Sequence, residues 1–500
     1  MPKKFKLLFF LFFFSFAVYT FFQFPGFQGY EDETYNRIIT NLKSGELKTA
    51  RSGYLQILLE TPFIWTGQIL DSFLKIEHDK ISQIFALFYN PFVSALSVVV
   101  MFLIFNLYNK KHQAFWLSLV YAFGTMAFPY ATIGMDPTAV LFVLFAIYFL
   151  FLFGKKIALV ENKKANLYLF LSGFFYFLLF FSKTYYLITG LAFLSFIYFC
   201  SRKEKDFKKF LKKLFRYFLL FFSSLIFLAP IYLIANKYNF GGCFSGPYKL
   251  SNELFGGENF IFGIYGLLFS FGKSLFIYNP VLLLSVLLFS QFYKKNQKEA
   301  FFVLIYTISL VLFVARIHWW SDETWGPRYL LSLSAVGLLP LIALDWQSLK
   351  KDGKQIKKIV FGLIIAFSFF FQLLGTLVRY DVFPYSFYEI YNATGYNVLA
   401  SQEYQYIPQF APYFVNYQLL TNKILRVRKP LIYKIIYSPP MEEVATKKGS
   451  VFTKEIVYDN NKYQAHCLNF WWMNVPNISP FLLFFLFILI FGGLFFIFYI

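Results

Sequence analysis

Two kinds of residue in this sequence stand where they could do chemistry: carboxylates able to accept a proton, and isolated cations able to hold an anion. Glu31-Asp32-Glu33 is a run of three acids, and Ile38, Ile39 and Leu42 follow at helical spacing, so Asp32 and Glu33 open a helix. Acids at that position either complement the helix dipole or serve a site. Asp136 is a second candidate acid, and with Pro137 at the first helical position it also reads as an N-cap. Arg328 closes the dense segment Arg316-Ile317-His318-Trp319-Trp320-Ser321-Asp322-Glu323-Thr324-Trp325-Gly326-Pro327-Arg328. A guanidinium suits a bidentate grip on phosphate; the alternative is an interfacial anchor paired with Asp322 or Glu323. Lys183 is an isolated cation at a helix end, and Lys273 is a further one in a glycine-bearing loop. His318 is either a site residue or a hydrogen-bonded structural histidine. The four histidines are scattered, and neither His-x-x-x-His nor Cys-x-x-Cys occurs, so no metal cluster stands out. No dinucleotide fingerprint, P-loop or Ser-His-Asp order appears in a strand–helix context.

The elements that must carry these residues follow from composition. Of 500 residues, 58% are hydrophobic, 24% are aromatic and only 15% are charged, with 74 Phe. A globular chain carries about 25% charged residues. Lipid must therefore be the solvent for most of this one, which excludes soluble multidomain, disordered and coiled-coil classes. Basic residues lead into an apolar run ending near Phe24, without a small-x-small cleavage site, which reads as an uncleaved signal anchor with a cytoplasmic N-terminus. Further apolar spans lie near 82–108, 114–130, 137–153, 167–182, 186–200, 217–235, 275–292, 300–315, 328–346, 359–377 and 479–498. The fold class expected is an all-α polytopic membrane protein of about twelve helices, each near the ~20 residues a bilayer requires.

The net charge of +21 belongs to one side of that membrane. Roughly 25 Lys and Arg fall in six short segments between spans, with about five acids among them, and every such segment lies on the same side. The charge is thus the positive-inside signature, and no nucleic-acid partner is needed to explain it. Three outer regions are long: 25–81, 236–274 and 378–478. Residues 54–74, broken by Glu60, Pro62, Gln68 and Asp71, read as an amphipathic helix lying in the interface. The glycine-rich 236–274 reads either as a lid over a ligand or simply as a loop. Residues 378–478 read as a small mixed exoplasmic domain, with a hairpin across 454–465 around Asp459-Asn460-Asn461, held to the membrane by Trp471, Trp472 and the final helix of 479–500. Cys243 and Cys467 fall on the same side, which leaves a bridge between them open.

Asp32-Glu33-Thr34-Tyr35, placed after the first span and opening a helix, resembles the signature of GT-C membrane glycosyltransferases, in particular the protein O-mannosyltransferase and aminoarabinose transferase branch and its bacterial polyprenyl-phosphate-dependent relatives. Gly134-Met135-Asp136-Pro137-Thr138 is similar to that family's second acidic loop, and Phe181-Ser182-Lys183 to its Thr-Lys. Gly266-Leu267-Leu268-Phe269-Ser270-Phe271-Gly272-Lys273, Tyr278-Asn279-Pro280 and Trp325-Gly326-Pro327-Arg328-Tyr329-Leu330 resemble blocks of its bacterial members. The resemblance covers most of the chain in order, with residues 1–377 as the catalytic module.

What the resemblance implies is transfer of a sugar from a polyprenyl phosphate to an envelope acceptor, on the outer face of the cytoplasmic membrane, with inversion. A carboxylate takes the proton of the acceptor hydroxyl, a role implied for Asp32 with Glu33 as orienter or substitute. The phosphate leaving group needs positive charge and no general acid. Arg328, Lys183 and Lys273 are the implied phosphate ligands, with Asp136, His318 and Tyr35 in support. A divalent cation bridging Asp32 or Glu33 to the phosphate is a further implication of the resemblance. The rival from another class is a transporter or flippase of lipid-linked glycans, which should place charges at mid-membrane and show two similar halves. A lipid-to-glycan ligase or polymerase on a related fold differs from the transferase mainly in its donor.

Overall fold

The computed structural model describes residues 3–24, 54–74, 80–133, 136–157, 163–202, 204, 206–243, 260–317, 323–344, 355–379, 382–384, 386–387, 403–425, 432–437, 452–457, 467–468 and 470–473. The longer helices are α1 (Lys3–Phe21), α2 (Tyr54–Leu74), α3 (Lys80–Leu87), α4 (Tyr89–Asn106), α5 (Lys111–Gly124), α6 (Pro137–Ile157), α7 (Lys163–Ser182), α8 (Gly190–Ser201), α9 (Phe207–Phe222), α10 (Leu225–Phe240), α11 (Phe260–Phe269), α12 (Leu282–Lys295), α13 (Gln297–Val314), α14 (Gln355–Thr376) and α15 (Pro412–Leu425). Seven helical stretches among the described residues are long and apolar enough to cross a membrane: 81–106, 137–157, 164–182, 184–201, 207–238, 297–314 and 358–376. Large apolar side chains face outward along them, such as Ile226, Phe227, Ile231 and Ile234 on α10. A row of that size calls for lipid around it, and the chain is a multi-pass membrane protein.

The count falls below twelve because four of the expected spans are short or interrupted, while 479–498 lies outside the described residues. The apolar part of α1 is only Lys6–Phe21. Helix α5 stops at Thr125, whose backbone is extended (φ −129, ψ 171). The span expected at 275–292 breaks at Asn279-Pro280, between a single turn (Leu275–Tyr278) and α12. At 328–346 there is no continuous helix but a string of short turns, Arg328–Leu330, Leu333–Val336 and Leu339–Ala343, nearly all buried. Irregular backbone is tolerated at membrane depth only inside protein, where other groups satisfy it. Here Asn279 does so: its Oδ1 accepts from the Met126 amide at 2.9 Å and from Ser334 Oγ at 3.0 Å.

Aromatic packing fills the centre. Phe175 of α7 stacks on Phe145 of α6 with ring centroids 4.7 Å apart, and Phe302 of α13 meets Phe151 and Phe193 edge-on. Near the α6–α7 crossing, Ser172 Oγ donates to the Ala146 carbonyl at 2.8 Å. The far end of α1 is closed from the C-terminal region: the Trp471 indole donates to Thr20 O at 2.6 Å and the Trp472 indole to Phe21 O at 2.9 Å. Last-turn carbonyls of a helix lack partners of their own, and these two indoles supply them.

The long outer regions hold regular elements of their own. In 236–274, Gly241 at φ 77 closes α10 in the left-handed conformation, and the apolar Phe260–Phe269 forms a helix of its own. In 378–478, the far arm of the hairpin expected across 454–465 lies outside the described residues, and the strand before it is Phe452–Val457. It pairs antiparallel with Ile432–Tyr437 upstream, Ile432 opposite Val457, because that segment supplies the β-branched and aromatic residues a strand favours. Cys200, Cys243 and Cys467 form no disulfide, so no bridge joins Cys243 to Cys467.

Candidate functional site

Three segments far apart in sequence bring their charges to one point. Asp136, just before α6, lies 3.3 Å from Lys183 Nζ, just past α7, and 3.5 Å from Arg328 Nε, which starts the interrupted segment. Asp136 and Arg328 are buried, while the Lys183 side chain keeps 30% exposure. The Asp136 carbonyl accepts from the Val140 amide at 3.3 Å, so the residue does stand at the N-cap position. Its carboxylate does not cap: neither oxygen takes a hydrogen bond from the helix, and both are committed to the two cations. Two cations brought this close repel, and the acid between them offsets that cost.

Tyrosines surround the triad. Arg328 Nη2 donates to Tyr329 Oη at 2.8 Å, and its guanidinium lies 4.8 Å from that ring's centroid. Tyr185 stacks on Tyr186 at 4.5 Å and meets Tyr329 edge-on. The Tyr185 and Tyr186 hydroxyls are buried without a hydrogen-bond partner among the described residues. Buried hydroxyls with spare donors beside an ionic cluster fit a polar ligand that supplies the missing bonds. Sequence reasoning passed over Tyr185 and Tyr186, although they directly follow Lys183-Thr184, and named Tyr329 only within the block that carries Arg328.

Arg328 is held in place from its backbone side. Lys273, fully buried, donates from Nζ to Thr324 O at 2.7 Å and to Gly326 O at 3.0 Å. This places Lys273 as a brace under the turn that carries Arg328, not among the cations around Asp136. Tyr130 Oη donates to Trp325 O at 3.1 Å. The Trp325 ring lies against Gly375 of α14, where an added Cβ would come within 2.5 Å of it. Gly326 (φ +65) packs on Tyr278 and Met126 so closely that a Cβ would meet Tyr278 at 2.6 Å. Only glycine suits both the backbone and that approach. The blocks around 273, 278–280 and 325–328 thus form one support.

A further acid lies on the buried face of α2. Glu60, Ile64, Gly67 and Asp71 share that face. Asp71 is used structurally, accepting from the Ile81 and Ser82 amides at 2.9 Å each, and so caps α3. Glu60 accepts from Gln56 Nε2 at 2.8 Å. It lies near Tyr89, whose hydroxyl shares a 2.8 Å hydrogen bond with Thr138, two residues past Asp136. Burial raises the Glu60 carboxyl to about 7, with the Gln56 bond pulling weakly the other way. A raised folded value means the native state holds the proton more tightly than the unfolded chain. Stability should therefore fall as pH rises from about 4.5 to about 7, by roughly 3 kcal/mol in full. Glu60→Gln should flatten that slope in thermal unfolding of the detergent-solubilised protein. A wild-type midpoint independent of pH across that interval would show that Glu60 is not held protonated.

Asp32, Glu33, Tyr35 and His318 lie outside the described residues. Among the described residues no cluster of three or more His, Cys, Asp or Glu could hold a metal. Asp136, flanked by two cations, does not fit a divalent ion. No protein-family model matches the chain, and no curated protein matches it in sequence.

Proposed function

We propose that the protein is an inverting glycosyltransferase, moving a sugar from a polyprenyl-phosphate donor to an envelope acceptor at the outer face of the cytoplasmic membrane. The observation that carries this reading is the convergence of Lys183 and Arg328 on Asp136, at helix ends opposite the basic segments. In the positive-inside orientation that end is the outer one, at the depth of a lipid phosphate. Arg328 and Lys183 hold the phosphate oxygens, and Asp136 sets the spacing of the two cations. Asp32, with Glu33 beside it, takes the proton from the acceptor hydroxyl. The acceptor oxygen then bonds to the anomeric carbon, the bond from that carbon to the phosphate oxygen breaks, and the polyprenyl phosphate leaves with the electron pair. Stabilising that developing charge is the task of Arg328 and Lys183. A transporter would keep its ionisable groups near mid-membrane, whereas these three flank helix ends.

Asp32→Asn should insert and accumulate normally while transfer from a radiolabelled polyprenyl-phosphate sugar in membranes falls by about 10²-fold or more. Undiminished transfer would remove Asp32 as the base. Mass spectrometry of envelope glycans and lipids after deletion of the gene identifies the acceptor; an unchanged envelope counts against the transferase reading itself.

A further inference from the structure

Helix α9 (Phe207–Phe222) carries a surface that the transfer chemistry does not use. Lys208, Lys209, Lys212, Lys213 and Arg216 recur at one-, three- and four-residue intervals and share one broad face, with no acid between Phe207 and Phe222. Asp206 ahead of them is spent on capping, accepting from the Lys208 amide at 2.9 Å and the Lys209 amide at 3.4 Å. Among the described residues these five cations make no ion pair. A second face docks the helix: Phe210 meets Tyr198 of α8 edge-on at 5.8 Å, and Tyr217 meets Phe153 of α6 at 5.0 Å. A third face, between the other two, is apolar and open. Phe207 is 68% exposed and Phe215 64%, with Leu211 between them.

The docking contacts fix the depth of this surface. Phe153 lies just before Lys155-Lys156, at the basic end of α6, and Tyr198 lies in the last turn of α8. Tyr217 and Phe210 stand level with those ends, so the lysines of the first two turns reach the headgroup layer while α10 continues into hydrocarbon. Five like charges within about 12 Å of helix repel one another unless anions come between them. An anionic phospholipid supplies both needs in adjacent strips, a phosphate for the cation row and an acyl chain for Phe207, Leu211 and Phe215. An acidic protein would match the charge but not an apolar strip at this depth.

We propose that α9 is a binding surface for anionic phospholipids of the leaflet at the basic helix ends, the cytoplasmic leaflet by the positive-inside rule. The proposal does not depend on the transfer reaction. Four of the five cations are exposed and Lys213 is half-buried, so replacing all five by Gln should leave the fold intact. The test is native mass spectrometry of the full-length protein from neutral detergent, titrated with phosphatidylglycerol or phosphatidylcholine. The wild type should prefer phosphatidylglycerol by about tenfold or more at low salt, and less at high salt. The five-Gln protein should lose the preference, and a version with Lys208, Lys209, Lys212 and Lys213 changed to Arg should keep it. No preference in the wild type overturns the proposal, as does a preference that survives in the five-Gln protein. So would a poly-glutamate peptide that binds the wild type in phosphatidylcholine nanodiscs more tightly than phosphatidylglycerol binds, since that assigns the row to an acidic protein.

Discussion

Arg328→Gln is expected to weaken binding of a short-chain polyprenyl phosphate and to slow sugar transfer by about 10²–10³-fold, the loss usual when one positioned donor to a developing charge is removed. The effect should be on the ligand and not on the fold. The backbone before Arg328 is held by Lys273, Tyr130 and the Trp325 ring, none of which needs the guanidinium. Asp136 keeps Lys183 as a partner. Arg328→Lys should fall between the two, since an ammonium retains the charge but loses the planar fork and its bond to Tyr329. Calorimetric titration of both variants with the phosphate alone separates binding from turnover. Wild-type affinity in Arg328→Gln would show that the guanidinium is only an anchor of its own loop.

Asp136→Asn should act first on stability. Lys183 and Arg328 would then face each other with nothing between them, at a cost of about 3 kcal/mol, the low end for a broken buried pair because Lys183 keeps some access to water. A lost helix cap is not a rival cause, since the Asp136 carboxylate makes no capping bond and Asn caps a helix about as well as Asp. If the cost comes from stranded cations, adding Lys183→Met to Asp136→Asn should recover part of it, because one of the opposed charges is gone. If it has another origin, Lys183→Met should recover nothing. A double-mutant cycle of thermal midpoints in detergent decides this, and strictly additive effects would sink the ionic account. On the proposed function, recovered stability should not bring transfer back, since the double variant lacks one of the two cations assigned to the phosphate.

Much of the architecture is legible along the chain because a bilayer imposes simple demands. An apolar run near ~20 residues must be satisfied by its own helix, and the lysines at its ends report the side. Helices such as Pro137–Ile157 and Gln297–Val314 follow their hydropathy closely. The runs at 275–292 and 328–346 do not, because hydropathy cannot tell an apolar helix from apolar irregular backbone buried in protein, where Asn279 provides the missing bonds. Lys273 shows the same limit at one residue. Its type and loop position suit a phosphate ligand, yet its ammonium is turned inward onto two carbonyls.

By itself the amino-acid order determined that lipid surrounds this protein and that Asp136, Lys183 and Arg328 stand at or beside the ends of apolar segments. These are properties of local composition, which a neighbouring solvent can read directly. That the three meet within 3.3 and 3.5 Å, that Tyr185, Tyr186 and Tyr329 surround them, and that Lys273 supports the turn below were decided only by the tertiary structure. Helix ends sharing a membrane face can be arranged in many ways. Which ones become neighbours depends on the packing of buried rings and on the satisfaction of buried polar groups, and neither is written in any single stretch of sequence.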